Sequence, residues 1–262
     1  MSRRHVTFPC EGATLVGTMD EGAGTSGLLL VSGGNELRSG AWAGQAQLAG
    51  RLAAEGFPVF RFDRRGVGDS SGPDAGFRSS APDIAAASAA FRAHAPHVTR
   101  VIGLGNCDAA SALMLAGGAG LDGLVLSNPW TIESDDAPPP PEAVRDHYRR
   151  RMVDPTALKR LLSGKVPLRP MLASLRDALR RPTPPTGLAQ AMEAGIAGYT
   201  GTVTFLVAER DRTGQGFLSA WDKADKRVAR CPGATHSYVE PAARDWLAER
   251  VLEALRDTSP RT

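Results

Sequence analysis

Short, almost wholly apolar runs alternate along the chain with longer segments in which apolar residues recur at helical spacing. The run at 27–32 is typical of a strand buried on both faces, whereas 41–55 has the spacing of a helix and stops at Gly56. This alternation predicts an α/β fold with a mostly parallel, twisted sheet and helices on both faces. The predicted elements are a hairpin of 5–8 with 13–19, strands at 27–32, 57–62, 100–104, 123–127, 203–208 and 227–231, and helices at 41–55, 81–95, 109–116, 216–221 and 240–256.

One segment interrupts this order. Between 131 and 198 the composition changes, with proline-rich stretches at 138–141 and 183–187 around segments of helical pattern. Two such hinges predict a helical lid at 131–198, inserted into a core made of 1–130 and 199–262. No apolar run reaches the roughly 18–20 residues that cross a bilayer, and the first residues lack the apolar region of a signal peptide. We therefore expect no membrane insertion.

Composition narrows the class of protein. Apolar residues make up 42% of the 262 residues, enough for a substantial core, and the net charge of +3 gives little reason to expect nucleic-acid binding. The three cysteines, Cys10, Cys107 and Cys231, are far apart and odd in number, which argues against a disulfide framework and for a reducing, cytoplasmic location. No cysteine or histidine spacing suggests a metal site, and we expect no cofactor.

The strand at 100–104 runs into a tight turn and then into an Ala/Leu-rich helix. Cys107 stands at the centre of this turn, with the small residues Gly105 and Ala109 two positions before and after it. A strand-to-helix turn that exposes one reactive side chain has this pattern, because its strained backbone leaves room only for small residues at those positions. The N-terminus of the following helix favours a thiolate. The pattern predicts Cys107 as a nucleophile.

A nucleophile of this kind needs a base and a carboxylate that orients the base. Among the five histidines, His236 is the one that follows the last predicted strand, in a loop that returns to the carboxyl edge of the sheet. Asp211 ends the strand at 203–208 and begins a loop, which makes it the predicted acid. Glu209 is the nearest alternative. The predicted catalytic residues are therefore Cys107, His236 and Asp211, in the chain order nucleophile, acid, histidine.

An oxyanion hole would combine two backbone N–H groups. We expect one from Asp108, directly after the nucleophile, and one from the loop after the strand at 27–32, with Asn35 as the first candidate and Gly34 as the second. Substrate contacts are predicted for Trp130, Glu36 and Arg38. Because an inward Asp108 carboxylate would disfavour a thiolate, we expect a largely neutral thiol that His236 deprotonates during attack.

The predicted lid carries a concentration of positive charge. Residues 142–181 contain eleven Lys or Arg and four Asp or Glu, interleaved with apolar side chains. A solvated face over an apolar underside would explain this pattern. The alternative is that the lid recruits an anionic partner, such as an acyl carrier, a coenzyme A thioester or an acidic glycan precursor.

With nucleophile, acid and histidine in this order, the chain resembles the α/β-hydrolase superfamily over nearly its whole length. It is more closely similar to the exosortase A system-associated hydrolase 1 family, and Asn35-Glu36 departs from the proline-containing loop expected there. The residues that carry the resemblance are 56–63 with 65–70, the elbow Gly105-Asn-Cys-Asp-Ala-Ala-Ser-Ala112, Leu126-Ser-Asn-Pro-Trp130, His147-Tyr148, and Leu161-Leu-Ser-Gly-Lys165.

This resemblance implies the α/β-hydrolase fold and a bacterial enzyme with a Cys-His-Asp triad, encoded near exopolysaccharide and protein-sorting genes. Cysteine triads in this fold also resemble dienelactone hydrolase. A thiolate attacks acyl carbon and leaves readily, so an acyl-Cys107 intermediate suits activated esters, lactones and thioesters better than amides. The alternatives are an acyltransferase to a sugar or other hydroxyl, and a catalytically silent scaffold that binds a carrier.

Overall fold

The computed structural model describes residues 2–133 and 187–257. The described residues form one eight-stranded sheet in the order β1-β2-β4-β3-β5-β6-β7-β8. Its β1–β2 hairpin is antiparallel, as is the pairing of β2 with β4, and all later pairings are parallel. The strands are β1 (Arg3–Cys10), β2 (Ala13–Asp20), β3 (Ser26–Val31), β4 (Val59–Phe62), β5 (Arg100–Asn106), β6 (Gly123–Ser127), β7 (Thr202–Ala208) and β8 (Val228–Cys231).

Helices cover both faces of this sheet, so the predicted α/β fold is confirmed. The helices are α1 (Gly44–Ala54), α2 (Ala81–His94), α3 (Asp108–Leu115), α4 (Gly187–Ile196), α5 (Arg212–Ala220) and α6 (Pro241–Arg256). Apolar side chains alternate between the two faces of the strands: Leu28 and Leu30 pack toward α1 and α6, whereas Leu29 and Val31 pack toward α2 to α5.

Most of the predicted lid, 134–186, lies outside the described residues. Its final part, α4, packs against the core beside α3, because Leu188, Met192 and Ile196 recur on one helical face and are buried there. In the part of the chain that the structure describes, no helix is both long and apolar enough to cross a membrane.

Two helices begin three or four residues away from the start that the sequence pattern predicts. Helix α5 starts at Arg212 rather than at 216, because the Asp211 carboxylate caps its first turn by accepting the N–H groups of Thr213 (3.2 Å) and Gly214 (3.1 Å). Helix α1 starts at Gly44 rather than at 41, because Trp42 and Ala43 have left-handed backbone angles that interrupt the helix. The first turn is thus determined by a side-chain cap in one case and by the backbone conformation in the other, rather than by the apolar pattern.

The parallel strands bring their carboxyl ends to one edge of the sheet, and β3 lies between β4 and β5. Ligands bind at this edge in open α/β sheets, where loops from neighbouring strands diverge. The loop after β3, the turn after β5 and the loops after β7 and β8 all meet there. This is the edge at which the predicted site residues lie.

Candidate active site

Cys107 lies in the sharp turn between β5 and α3. Its backbone angles, φ 62° and ψ −126°, fall in a region that non-glycine residues rarely adopt. A Cβ at Gly105 would lie 2.7 Å from backbone atoms of Ala109 and Ala110, so a larger residue would not fit. The Cys107 N–H donates to the Ser127 carbonyl at 2.9 Å, which ties the turn to β6. Sequence and structure thus agree on a strained turn that presents this thiol.

His236 lies in the loop after β8 and contacts both other predicted catalytic residues. Its Nδ1 is 2.9 Å from Asp211 Oδ2, and the Cys107 sulfur is a second hydrogen-bond partner of the imidazole. The hydrogen bond to Asp211 first, and then the hydrogen bond to Cys107 in its thiolate form, raise the pKa of His236 to about 10 against the opposing effect of burial. Cys107, His236 and Asp211 therefore form one hydrogen-bonded series.

The second acid considered from the sequence, Glu209, has a different place. Its backbone N–H donates to Cys231 and its carbonyl accepts from the Gln215 side chain, so it belongs to the strand end. Asp211 is 7% exposed, and its carboxylate accepts three hydrogen bonds, two from the first turn of α5 and one shared with His236. Because the carboxylate is fixed in this way, it also fixes the orientation of the His236 imidazole.

The loop after β3 approaches the first turn of α3. The Gly34 N–H donates to both Asp108 carboxylate oxygens, each at 2.8 Å, and the buried Arg64 donates to the Gly34 carbonyl. Gly34 has φ +52°, which glycine adopts without strain. Within residues 2–133 and 187–257 the N–H groups of Asp108 and Asn35 make no hydrogen bond. The N–H groups of Asp108, after the turn, and of Asn35, in the loop after β3, are therefore available, whereas that of Gly34 is engaged by Asp108.

The residues predicted to contact substrate have structural partners. Glu36 accepts from the Ala41 N–H (2.9 Å) and the Gln45 side chain (3.0 Å), which stabilises its own loop. The Arg38 guanidinium pairs with the buried Asp63, and the backbone N–H of Arg38 donates to the same carboxylate at 2.6 Å. These contacts explain both residues without a substrate, and their role in binding stays a prediction.

Trp130 lies beside the thiol turn. Its backbone N–H donates to the Cys107 carbonyl at 3.2 Å, and its backbone carbonyl accepts from the Ser111 hydroxyl at 2.9 Å. Its ring is partly buried against the core. The backbone position is thus adjacent to the thiol, whereas contact of the ring with a substrate stays a prediction.

Two asparagines of this site were not identified from the sequence. Asn106 precedes Cys107, and Asn128 follows β6; their side chains are hydrogen-bonded at 3.0 Å. Asn106 Nδ2 also lies 3.3 Å from the His236 carbonyl oxygen and 3.4 Å from His236 Nε2. The available signal was the position of each residue at the carboxyl end of a strand, directly beside the predicted site.

The two other cysteines differ from Cys107 in exposure. Cys10 and Cys231 are buried, whereas Cys107 is partly exposed. Burial, together with a hydrogen bond to Asp83, raises the pKa of Cys10 to about 11, and burial likewise raises the pKa of Cys231. Since thiolates are the reactive form, these two thiols are poorly reactive at neutral pH.

A cavity of about 310 Å³ lies between the first turns of α1 and α6. Leu30, Leu48 and Leu247 supply apolar walls, and Asn106 and Tyr238 border its inner end. Neither Cys107 nor His236 lines it. The cavity adjoins the histidine loop without containing the thiol or the imidazole.

Comparisons with solved structures agree with this fold. The esterase Pf2001 of Pyrococcus furiosus superposes with a TM-score of 0.63 at 15% identity, covering 97% of this chain and 90% of that one. The hydrolase GrgF of a Penicillium species gives 0.63 at 17%, covering 98% of each chain. Est1E of Butyrivibrio proteoclasticus, solved with ferulic acid, gives 0.59 at 16%, covering 96% of this chain and all of that one.

A comparison with curated protein sequences found no match. The model of the alpha/beta hydrolase family, in contrast, matches residues 28–250. That range runs from β3, before the loop that carries Gly34 and Asn35, to beyond His236. The chain therefore belongs to the alpha/beta hydrolase family.

Proposed function

We propose that the protein hydrolyses activated esters, lactones or thioesters through an acyl-Cys107 intermediate. The observation that carries this proposal is the hydrogen-bonded series Cys107–His236–Asp211 on a strained strand-to-helix turn. The esterases among the structural neighbours support ester chemistry on this fold. The narrower resemblance to the exosortase-associated family supports a role near exopolysaccharide and protein-sorting systems.

The reaction follows from the placement of the groups. His236 takes the proton of the Cys107 thiol, and the sulfur bonds to the acyl carbon. The negative charge that develops on the carbonyl oxygen is stabilised by the N–H groups of Asp108 and Asn35. His236 then gives its proton to the departing alcohol or thiol, which leaves acyl-Cys107. A water molecule deprotonated by His236 hydrolyses this intermediate and restores the thiol.

The substrate class follows from the sulfur nucleophile. A thiolate is a good leaving group, so the tetrahedral adduct returns to reactants unless the other leaving group is comparably good. Activated esters and thioesters satisfy this condition, whereas amides fit it less well because their amine leaving group needs strong protonation. The excess of positive charge in 142–181 extends the proposal to anionic or carrier-bound acyl substrates.

An acyl adduct on Cys107 tests the proposal directly. Protein mixed with p-nitrophenyl butyrate or a butyryl thioester is expected to gain the mass of one butyryl group and to release the product alcohol or thiol in a burst. Intact mass spectrometry before and after quenching gives the adduct, and Cys107→Ala supplies the blank. Absence of both adduct and turnover with every ester and thioester of such a panel would contradict the proposal.

The contact between Asp108 and Gly34 leads to a second prediction. Asp108→Ala removes both acceptors of the Gly34 N–H, so the loop that carries Asn35 loses its anchor to α3. We expect kcat to fall by about ten- to hundredfold, since a small misplacement of an oxyanion donor has effects of that order. Asp108→Asn, which keeps an acceptor at this position, should lose much less. Equal kcat values for the two variants would show that the anchor is not needed.

A further inference from the structure

Asn106 and Asn128 are polar side chains at the site for which the proposed mechanism has no use. Asn128 is fully buried and has φ 43°, an uncommon angle for a residue other than glycine. Asn106 lies between Asn128 and His236. One buried and one half-buried amide thus lie beside the reacting groups, and their orientation decides which atoms face the imidazole.

The orientation of both amides follows from their partners. The Ala208 N–H donates to Asn128 Oδ1 at 2.8 Å, so Asn128 Nδ2 points the other way. That nitrogen donates to Asn106 Oδ1 at 3.0 Å. Since the oxygen of Asn106 is thereby occupied, its Nδ2 is directed at His236. A single backbone N–H of β7 thus orients two side-chain amides in succession.

At His236 the Asn106 Nδ2 donates to the backbone carbonyl oxygen at 3.3 Å and lies 3.4 Å from Nε2. An amide nitrogen can only donate, so this contact is favourable when Nε2 carries a lone pair and unfavourable when it carries a proton. The Cys107 thiol donates to the same lone pair when it is protonated. Both donors therefore favour the neutral imidazole.

The ionisable groups on the neighbouring elements differ in their effect on His236. Asp211, at the start of α5, and the Cys107 thiolate, at the start of α3, favour the imidazolium and raise the pKa of His236. Tyr238 stays neutral, because burial raises the pKa of its hydroxyl. Glu240 accepts from the Thr235 N–H at 3.2 Å within the same loop. The donor of Asn106 opposes the effect of Asp211 and Cys107.

We propose that Asn106 and Asn128 are positioning residues that present an N–H group to His236 Nε2 and so hold the proton on the Cys107 sulfur until an acyl substrate is bound. The inference rests on the proposed roles of Cys107 and His236 and explains how their resting state is maintained. No covalent step is added: the same proton moves from sulfur to Nε2 when attack begins.

The test is the pH dependence of alkylation of Cys107 by iodoacetamide, followed by intact mass, with Cys107→Ala as the blank. In Asn128→Asp one carboxylate oxygen still accepts the Ala208 N–H, while the other accepts from Asn106 Nδ2. Asn106 then turns and presents its oxygen to Nε2, where it accepts a proton. We expect the alkylation midpoint to move to lower pH by about one unit, a tenfold change in thiolate fraction at a given pH.

A double-mutant cycle separates the effect transmitted through the Asn106 amide from a general effect of a buried charge. The alkylation midpoint of Asn128→Asp combined with Asn106→Ala is expected to equal that of Asn106→Ala alone, because the amide that would turn toward Nε2 is missing. Ser127→Ala is the matched control: its hydroxyl accepts from Asn128 Nδ2 at 3.3 Å, but the Ala208 contact keeps Asn128 in place. We expect its alkylation midpoint to equal that of the wild type.

Folding of each variant is checked by its far-ultraviolet circular dichroism and thermal midpoint. An unchanged alkylation midpoint in folded Asn128→Asp, or an equal shift when Asn106 is absent, would overturn the proposal. If Asn128→Asp does not fold, Asn106→Asp places an acceptor beside Nε2 directly, and the absence of a downward shift there would overturn it as well. Because alkylation needs no acyl substrate, this outcome is independent of the ester and thioester assays.

Discussion

Cys107→Ala is expected to lower turnover of activated esters and thioesters by a factor on the order of 10³ or more. The sulfur is the atom that bonds to the acyl carbon, and alanine leaves no nucleophile at the turn. The fold should be retained, because the side chain is partly exposed and alanine satisfies the same backbone contacts, including the N–H donated to Ser127. The measurement is kcat with p-nitrophenyl butyrate and with a butyryl thioester.

A matched cysteine variant serves as the control for this result. Cys231 is 3% exposed and lies at the end of β8, where it packs against Ala208 and Tyr238. Cys231→Ala removes a thiol of the same size from the core without touching the hydrogen-bonded series, so turnover should stay near that of the wild type. If Cys107→Ala keeps most of its turnover, the nucleophile lies elsewhere and the acyl-cysteine mechanism is wrong.

Asp211→Asn should have the second largest effect, a loss of kcat on the order of 10³- to 10⁴-fold. The amide no longer provides the charge that stabilises the imidazolium, and it can present an N–H to Nδ1 and so favour the wrong tautomer. Asparagine is nearly as good as aspartate at a helix N-cap, so the first turn of α5 should persist. This substitution therefore separates the effect on His236 from the effect on the helix.

The same variant should change the pH dependence of turnover. In the wild type the pKa of His236 is raised to about 10, with the Asp211 hydrogen bond as the first cause. The one proton that Cys107 and His236 share, which His236 later gives to the leaving group, is therefore retained into alkaline solution. Removal of the Asp211 charge lowers this pKa, so the alkaline limb of the profile should move to lower pH. The check is kcat/KM between about pH 5 and 11; an alkaline limb that does not move would contradict the assignment of Asp211.

The stability that the His236–Asp211 contact contributes should likewise decrease as the pH rises. The folded pKa of His236 is raised above its ordinary value of 6.5. Its contact with Asp211 therefore contributes its full stabilisation at pH values below 6.5. The contribution is lost as the pH rises to about 10. The difference in thermal midpoint between wild type and Asp211→Asn should therefore shrink over this interval. A difference that grows with pH would indicate that the carboxylate acts on another group.

Much of the fold could be predicted because apolar spacing reports directly on burial. The strand predicted at 123–127 is β6 as observed, and the helix predicted at 81–95 ends one residue earlier, at His94. The predicted helix boundaries were less accurate where a side-chain cap or an unusual backbone conformation decides the first residue. The Asp211 cap starts α5 four residues early, and left-handed angles at Trp42 and Ala43 delay α1. Periodicity carries no information on either feature.

The sequence by itself determined the α/β architecture and singled out Cys107, Asp211 and His236. It could do so because strands buried on both faces need continuous apolar runs, and a strand-to-helix turn as tight as that at Cys107 admits only small neighbours. These constraints act over a few residues and are therefore visible in the chain.

Only the tertiary structure decided which polar groups face one another at the edge of the sheet. It joined the Gly34 N–H to the Asp108 carboxylate across 74 positions, and Asn106 to His236 across 130. Hydrogen bonds are directional and short, so their pairing depends on where β3, β5, β7 and the last loop come together. No local pattern encodes that distance, and the orientation of the Asn106 amide is set by Ala208 through Asn128.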